Sequence, residues 1–103
     1  MTPEKRVQNA IDSYLTELTN NGAPLKHFRR QAGGFSYKEG LPDLYATISG
    51  RHVEIEIKRP GGEMSSQQEK WQKFFRSIGT LCICVDSLDD FKAFLEYEFG
   101  IKS

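Results

Sequence analysis

The order of periodicities along this 103-residue chain predicts an α/β fold: helix, three strands, helix, strand, helix, with a mixed sheet. Three observations carry that prediction. Val7, Ala10, Ile11, Tyr14, Leu15 and Leu18 recur at helical spacing. Two strand-like runs, residues 44–48 and 53–57, flank the turn signal Ser49-Gly50. A second helical stripe, Trp71, Phe74, Phe75 and Ile78, then separates the hairpin from a continuous apolar run, residues 80–85. That last connection is long enough for a right-handed parallel crossover, which makes the sheet mixed.

Each element has its own local cause. Thr2-Pro3 reads as an N-cap with proline at the first helical position, and Asn20-Asn21-Gly22 supplies a stop at which glycine takes the left-handed conformation. Residues 26–31 are read as a short first strand. A glycine-rich loop follows, residues 32–40, with Phe35 and Tyr37 among its glycines; its aromatics either tuck onto the core or meet an unstacked nucleic acid. After the hairpin, Ser66 with Glu69 three residues on reads as a capping box, and the stripe of the helix it starts is expected in the core. The run 80–85 is expected to be central in the sheet. Ser87 with Asp90 caps a last helix carrying Leu88, Phe91, Phe94 and Leu95.

The chemistry concentrates around the hairpin. Val53, Ile55 and Ile57 alternate with Glu54, Glu56 and Lys58, so period 2 puts the three charged residues on one strand face. If Ser49-Gly50 is a two-residue loop, Asp43 lies directly opposite Glu56, with Cβ atoms about 4.5–5.5 Å apart. If the loop has four residues, Asp43 lies opposite Lys58, with Glu56 one diagonal away. Either register gathers two carboxylates and a lysine, and converging carboxylates repel unless something positive stands between them. A divalent cation is the simplest answer, and an acid pair with a lysine is what holds one against a phosphate and aims a water at it. Glu54, one step off, is read as a supporting or solvated residue.

These residues resemble the VRR-Nuc domain of the PD-(D/E)xK nuclease superfamily. The resemblance rests on Gly40-Leu41-Pro42-Asp43, on Glu56-Ile57-Lys58-Arg59-Pro60-Gly61-Gly62, on Met64-Ser65-Ser66-Gln67-Gln68-Glu69-Lys70-Trp71 and on Gly79, and it runs from about Glu4 to about Phe94. It implies a restriction-endonuclease-like αβββαβ core, one nuclease domain over residues 1–103, and Mg²⁺ or Mn²⁺ as cofactor. Asp43, Glu56 and the backbone carbonyl of Ile57 would hold the metal. Glu4 would complete the site, although an acid in a first helical turn also suits the macrodipole. Gln68, in competition with Gln67, would point at it from a helix. Lys58 is cast as an electrostatic and positioning group, because adjacent carboxylates stabilise a cation between them. The implied activity is that of an endodeoxyribonuclease selective for four-way (Holliday) junctions or branched DNA, in a homodimer, as in stand-alone and often phage-encoded members. A flap, restriction or exonuclease type, and a non-catalytic DNA-binding subunit, are the alternatives.

Composition bounds these expectations. With 38% hydrophobic and 12% aromatic residues the chain suits one small core. No apolar run approaches the roughly 20 residues of a membrane span, and residues 1–5 lack a signal segment, which points to an intracellular protein; the resemblance implies the cytoplasm of a bacterial or phage-infected cell. Cys82 and Cys84 are expected as core thiols rather than as a bridge or zinc pair. Net charge is zero, yet residues 1–85 carry 12 basic against 9 acidic side chains and residues 86–103 carry 2 against 5. Lys26, Arg29, Arg30 and Lys38 before the site, with Arg59 and Lys70 after it, are the candidate phosphate contacts. Phe35, Tyr37, Tyr97 and Phe99 are the candidate dimer contacts.

Overall fold

A computed structural model describes residues 1–30 and 39–102. Its elements run α1 (Pro3–Asn20), β1 (Leu25–Arg29), β2 (Leu44–Ile48), β3 (Arg51–Ile57), α2 (Ser66–Ser77), β4 (Leu81–Val85) and α3 (Leu88–Phe99). The fold is α/β. β1, β2 and β3 form an antiparallel meander and β4 adds parallel to β3, giving a four-stranded mixed sheet in the order β1-β2-β3-β4. Among the described residues no helix is long and apolar enough to cross a membrane.

Local signals start and stop these elements. Thr2 Oγ1 accepts the Lys5 amide at 3.1 Å with Pro3 at the first helical position, and Gly22 at φ 91° turns the chain away after α1. Ser49 at φ 50° and Gly50 at φ 80° make a two-residue turn with both central residues left-handed, whose twist matches that of the strands it joins. Ile48 therefore pairs with Arg51 and Leu44 with Ile55, so the two-residue register holds.

The core lies on one face of the sheet. Ile11 and Leu15 of α1 and Phe91 and Leu95 of α3 pack on Leu44, Ala46, Ile48, Val53, Ile55 and Ile57. α2 lies on the other face, where the Arg76 guanidinium donates to the Cys82 carbonyl at 3.1 and 3.3 Å.

Several expectations need correction. β4 is an edge strand, and its apolar run is only partly covered: Cys82 and Val85 are buried, Leu81 and Ile83 half-buried and Cys84 exposed. The α2 stripe is not core: no residue of α2 is buried, and Phe74 and Ile78 are 51% and 61% exposed. That helix leans chiefly on the outermost strand, so Trp71, Phe74 and Phe75 pack largely on one another, with ring centroids 5.7–5.9 Å apart. Cys82 is a core thiol, pushed up to about 11 by burial and by Glu54, but Cys84 is exposed. The first strand begins at Leu25, whose side chain is buried opposite Ile48.

The second face of β3 is also closed. Glu54 is 1% exposed, which excludes the solvated of its two readings. Arg30 grips it with both guanidinium nitrogens, Nη1 to Oε1 at 2.5 Å and Nη2 to Oε2 at 3.0 Å, and His52 Nε2 meets Oε2 at 2.5 Å. Removing one partner of such a pair strands a buried charge, so Arg30→Ala is expected to destabilise the protein by about 3 kcal/mol. A lowered urea midpoint at unchanged slope reads that loss, and the double variant Arg30→Met with Glu54→Leu should recover most of it.

Candidate active site

Asp43 precedes β2 and faces Glu56, one position beyond the Leu44–Ile55 pair. The chain delivers it through a tight passage. Gly40 has φ 88°, and a Cβ there would lie 2.7 Å from the Gln67 Cβ, so only glycine lets the loop pass this close to α2. Pro42 is buried and its carbonyl accepts from Arg30 Nη1 at 2.9 Å. The Arg30 amide donates to the Asp43 carbonyl at 2.9 Å, and the Ile57 amide to Asp43 Oδ2 at 3.4 Å. The Arg30 amide thus fixes the Asp43 backbone, and the Ile57 amide of β3 holds its carboxylate.

Glu56 is 3% exposed. Its Oε2 accepts from Gln68 Nε2 at 3.4 Å, whereas Oε1 is buried with no hydrogen-bond partner. Burial first, then the charge of Asp43 beside it, push the Glu56 carboxyl up to about 9 against the opposing pull of Lys58. Two facing carboxylates with an orphaned oxygen suit a hard divalent cation, which takes oxygen ligands. Among the described residues no group of three or more His, Cys, Asp or Glu side chains gathers as a metal cage. A cation at the pair would draw its other oxygens from backbone, water or a phosphate.

Lys58 follows β3 and is tethered from two helices. Its Nζ lies 3.2 Å from Gln68 Oε1 and 3.4 Å from Glu4 Oε1, Glu4 standing in the first turn of α1. Gln68 does two jobs. Ser65 Oγ accepts its amide at 3.2 Å and its Oε1 accepts the Ser65 amide at 2.8 Å, a capping box one residue earlier than the expected Ser66–Glu69 pair. The sequence offers both boxes in overlap; the earlier one wins because it turns the Gln68 amide onto Glu56 and Lys58. Gln67 meanwhile packs at Gly40, so Gln68 and not Gln67 faces the site.

A polar cleft of about 460 Å³ opens beside this cluster, lined by Glu4, Lys58, Arg59, Gly61, Gly62 and Glu63. Its floor is a turn closed by the Gly62 amide on the Arg59 carbonyl at 2.8 Å. Asp86 Oδ2 accepts the Gly61 amide at 3.0 Å, and that amide holds the Asp86 carboxyl below its usual range. Sequence reasoning passed over Asp86, because nothing in spacing alone links the end of β4 to this turn.

The basic residues divide. Lys26, Arg59 and Lys70 are exposed. Arg29 pairs with Asp12 of α1 at 3.4 Å, and Arg30 is committed to Glu54 and Pro42, which takes it out of the free surface cations. Lys38, Phe35 and Tyr37 lie outside the described residues. Of the other aromatics singled out, Tyr97 is 88% exposed, while Phe99 packs edge-on against Phe94 with Arg51 above it. No protein-family profile, curated protein or solved structure matches the chain.

The raised Glu56 carboxyl has a thermodynamic consequence. Its folded form holds a proton that the unfolded form releases near 4.5, so the stability tied to that proton is present below about 4.5 and is lost as pH rises toward about 9. In chelator at pH 8, Glu56→Gln is therefore expected to melt at a higher temperature than the parent, the gain shrinking toward pH 4. Mg²⁺ should raise the melting temperature of the parent and leave that of the variant unmoved.

Proposed function

We propose that this chain is a Mg²⁺- or Mn²⁺-dependent endodeoxyribonuclease of the VRR-Nuc type, with a restriction-endonuclease-like core, hydrolysing phosphodiesters in four-way or otherwise branched DNA. The observation that carries this reading is the convergence of Asp43 and Glu56, one oxygen orphaned, beside Lys58 and an open polar cleft. The motif resemblance supports it independently of the geometry.

In this reading Asp43, Glu56 and the Ile57 carbonyl, assisted by Glu4, would hold the metal. When bound, the metal supplies Lewis-acid polarisation of the phosphoryl group and acidifies water. Lys58 places a fixed positive charge at the phosphate, and Gln68 and Glu4 keep its ammonium from swinging away. Gln68 also donates to Glu56, which keeps the carboxylate plane turned toward Asp43. Lys26, Arg59 and Lys70 contact backbone phosphates, a role that gives affinity without reading sequence. A junction presents two equivalent strands, so a symmetric homodimer would provide the second site.

The test is cleavage of labelled duplex, flap, fork and four-way junction DNA. Asp43→Asn and Lys58→Ala should each lower the rate at least about 100-fold with unchanged circular dichroism. Mg²⁺ and Mn²⁺ should support cutting, and Ca²⁺ binding only, because its longer and looser coordination aims a water poorly. Near-parental cutting by either variant at saturating Mg²⁺ defeats the assignment of that residue. For affinity, the Asp43→Asn protein should bind junction DNA with a steep salt dependence, and Lys26→Ala with Arg59→Ala should shallow the logarithmic slope by about one unit per lost contact.

A further inference from the structure

The sheet face that carries the carboxylate pair continues, one step toward the hairpin, into a row of rings. Phe28 pairs with Tyr45 and Tyr45 with Glu54, so these side chains share that face; Thr47 and His52 pair in the next row. The rings of Phe28 and Tyr45 stack at 5.2 Å and 21°, those of Tyr45 and His52 at 5.7 Å and 30°, and the Arg30 guanidinium lies 4.6 Å from the Tyr45 centroid. This is not core. The apolar core occupies the opposite face, and α2 covers the β4 side of this one. Phe28 is 44% exposed and the His52 side chain 47%, at the two ends of the row.

Two features say what such a surface would take. Its charge is cationic. Glu54, the carboxylate in the row, is neutralised between Arg30 and His52, whereas Lys26, opposite Thr47 on the same face, is exposed. Its position is set by β2: Tyr45 lies two residues, about 7 Å, from Asp43. An exposed aromatic ring at the end of the row, with cations beside it and near a phosphate-handling pair, matches a nucleobase with its backbone. A base inside a duplex has both faces covered by its neighbours, so only an unpaired base can use the rings.

We propose that the outer face of Phe28, backed by the stacked rings of Tyr45 and His52, is a stacking surface for an unpaired base of the DNA strand whose phosphate lies at Asp43 and Glu56. The proposal rests on the nuclease reading and deepens it: the substrate carries a single-stranded segment next to the scissile phosphate.

The test compares, by fluorescence anisotropy in chelator, the binding of a labelled 15-nucleotide oligothymidylate and of a 15-nucleotide abasic strand with the same phosphates. Stacking is worth about 1–3 kcal/mol per base, so the chain should prefer the thymidylate by about five- to 150-fold. Phe28→Ala should collapse that preference, and Phe28→Trp should restore it. Equal affinity of the parent for the two strands overturns the platform, as does a preference that survives in Phe28→Ala. Metal-dependent hydrolysis of bis(p-nitrophenyl) phosphate, which has no nucleobase, separates this from failure of the underlying reading. Hydrolysis without base preference removes the platform alone. Base preference without hydrolysis keeps the platform and removes the nuclease assignment.

Discussion

The Ser49-Gly50 turn is the constraint on which the rest depends. Both residues take positive φ, the loop is held to two residues, and the register of β2 against β3 follows. A slip of one residue would send every β3 side chain to the opposite face, burying carboxylates in the core and exposing Ile55 and Ile57. Because the turn forbids that slip, the sheet separates two environments with one alternation. Its inner face is aliphatic, and its outer face holds carboxylates, cations and rings.

On that outer face the two glutamates of β3 show how identical residue types acquire different characters. Glu54 and Glu56 are two positions apart and about equally buried, at 1% and 3% exposure. Glu54 is enclosed by a bidentate guanidinium and an imidazole, so that both of its oxygens have partners. Glu56 faces another carboxylate, receives one long bond from an amide and keeps an oxygen bare. The first is a fastener between β1 and β3. The second is a carboxyl that keeps a proton beside Asp43, a place a divalent cation could take instead.

Most of the fold was legible because its signals are local. Thr2-Pro3, Ser49-Gly50 and Ser87 each start or reverse an element through bonds within a few residues, and the alternation along β3 fixed the side-chain faces. The convergence of Asp43 with Glu56 was legible for the same reason, since it needs only a loop length and a count. What was misread depends on which surfaces meet. The stripe of α2 has core periodicity, yet α2 meets an edge strand, and periodicity cannot report the width of the surface beneath a helix. Arg30 looked like one more surface cation because its partner lies 24 positions away. The Ser65–Gln68 box was hidden by an overlapping alternative, and only tertiary contacts with Lys58 and Glu56 choose between them.

The shared role of Gln68 ties the ordering of the cluster to the fraying of a helix end. One oxygen accepts both the Ser65 amide, which starts α2, and the Lys58 ammonium. First turns open far more readily than helix interiors, and helix–coil relaxation takes about 0.1–1 μs. The orientation of Lys58 is therefore not a fixed property of β3. One of the lysine's two tethers, Gln68, belongs to the first turn of α2, and amide hydrogen exchange at Ser65 and Gln68 would report how often that turn opens.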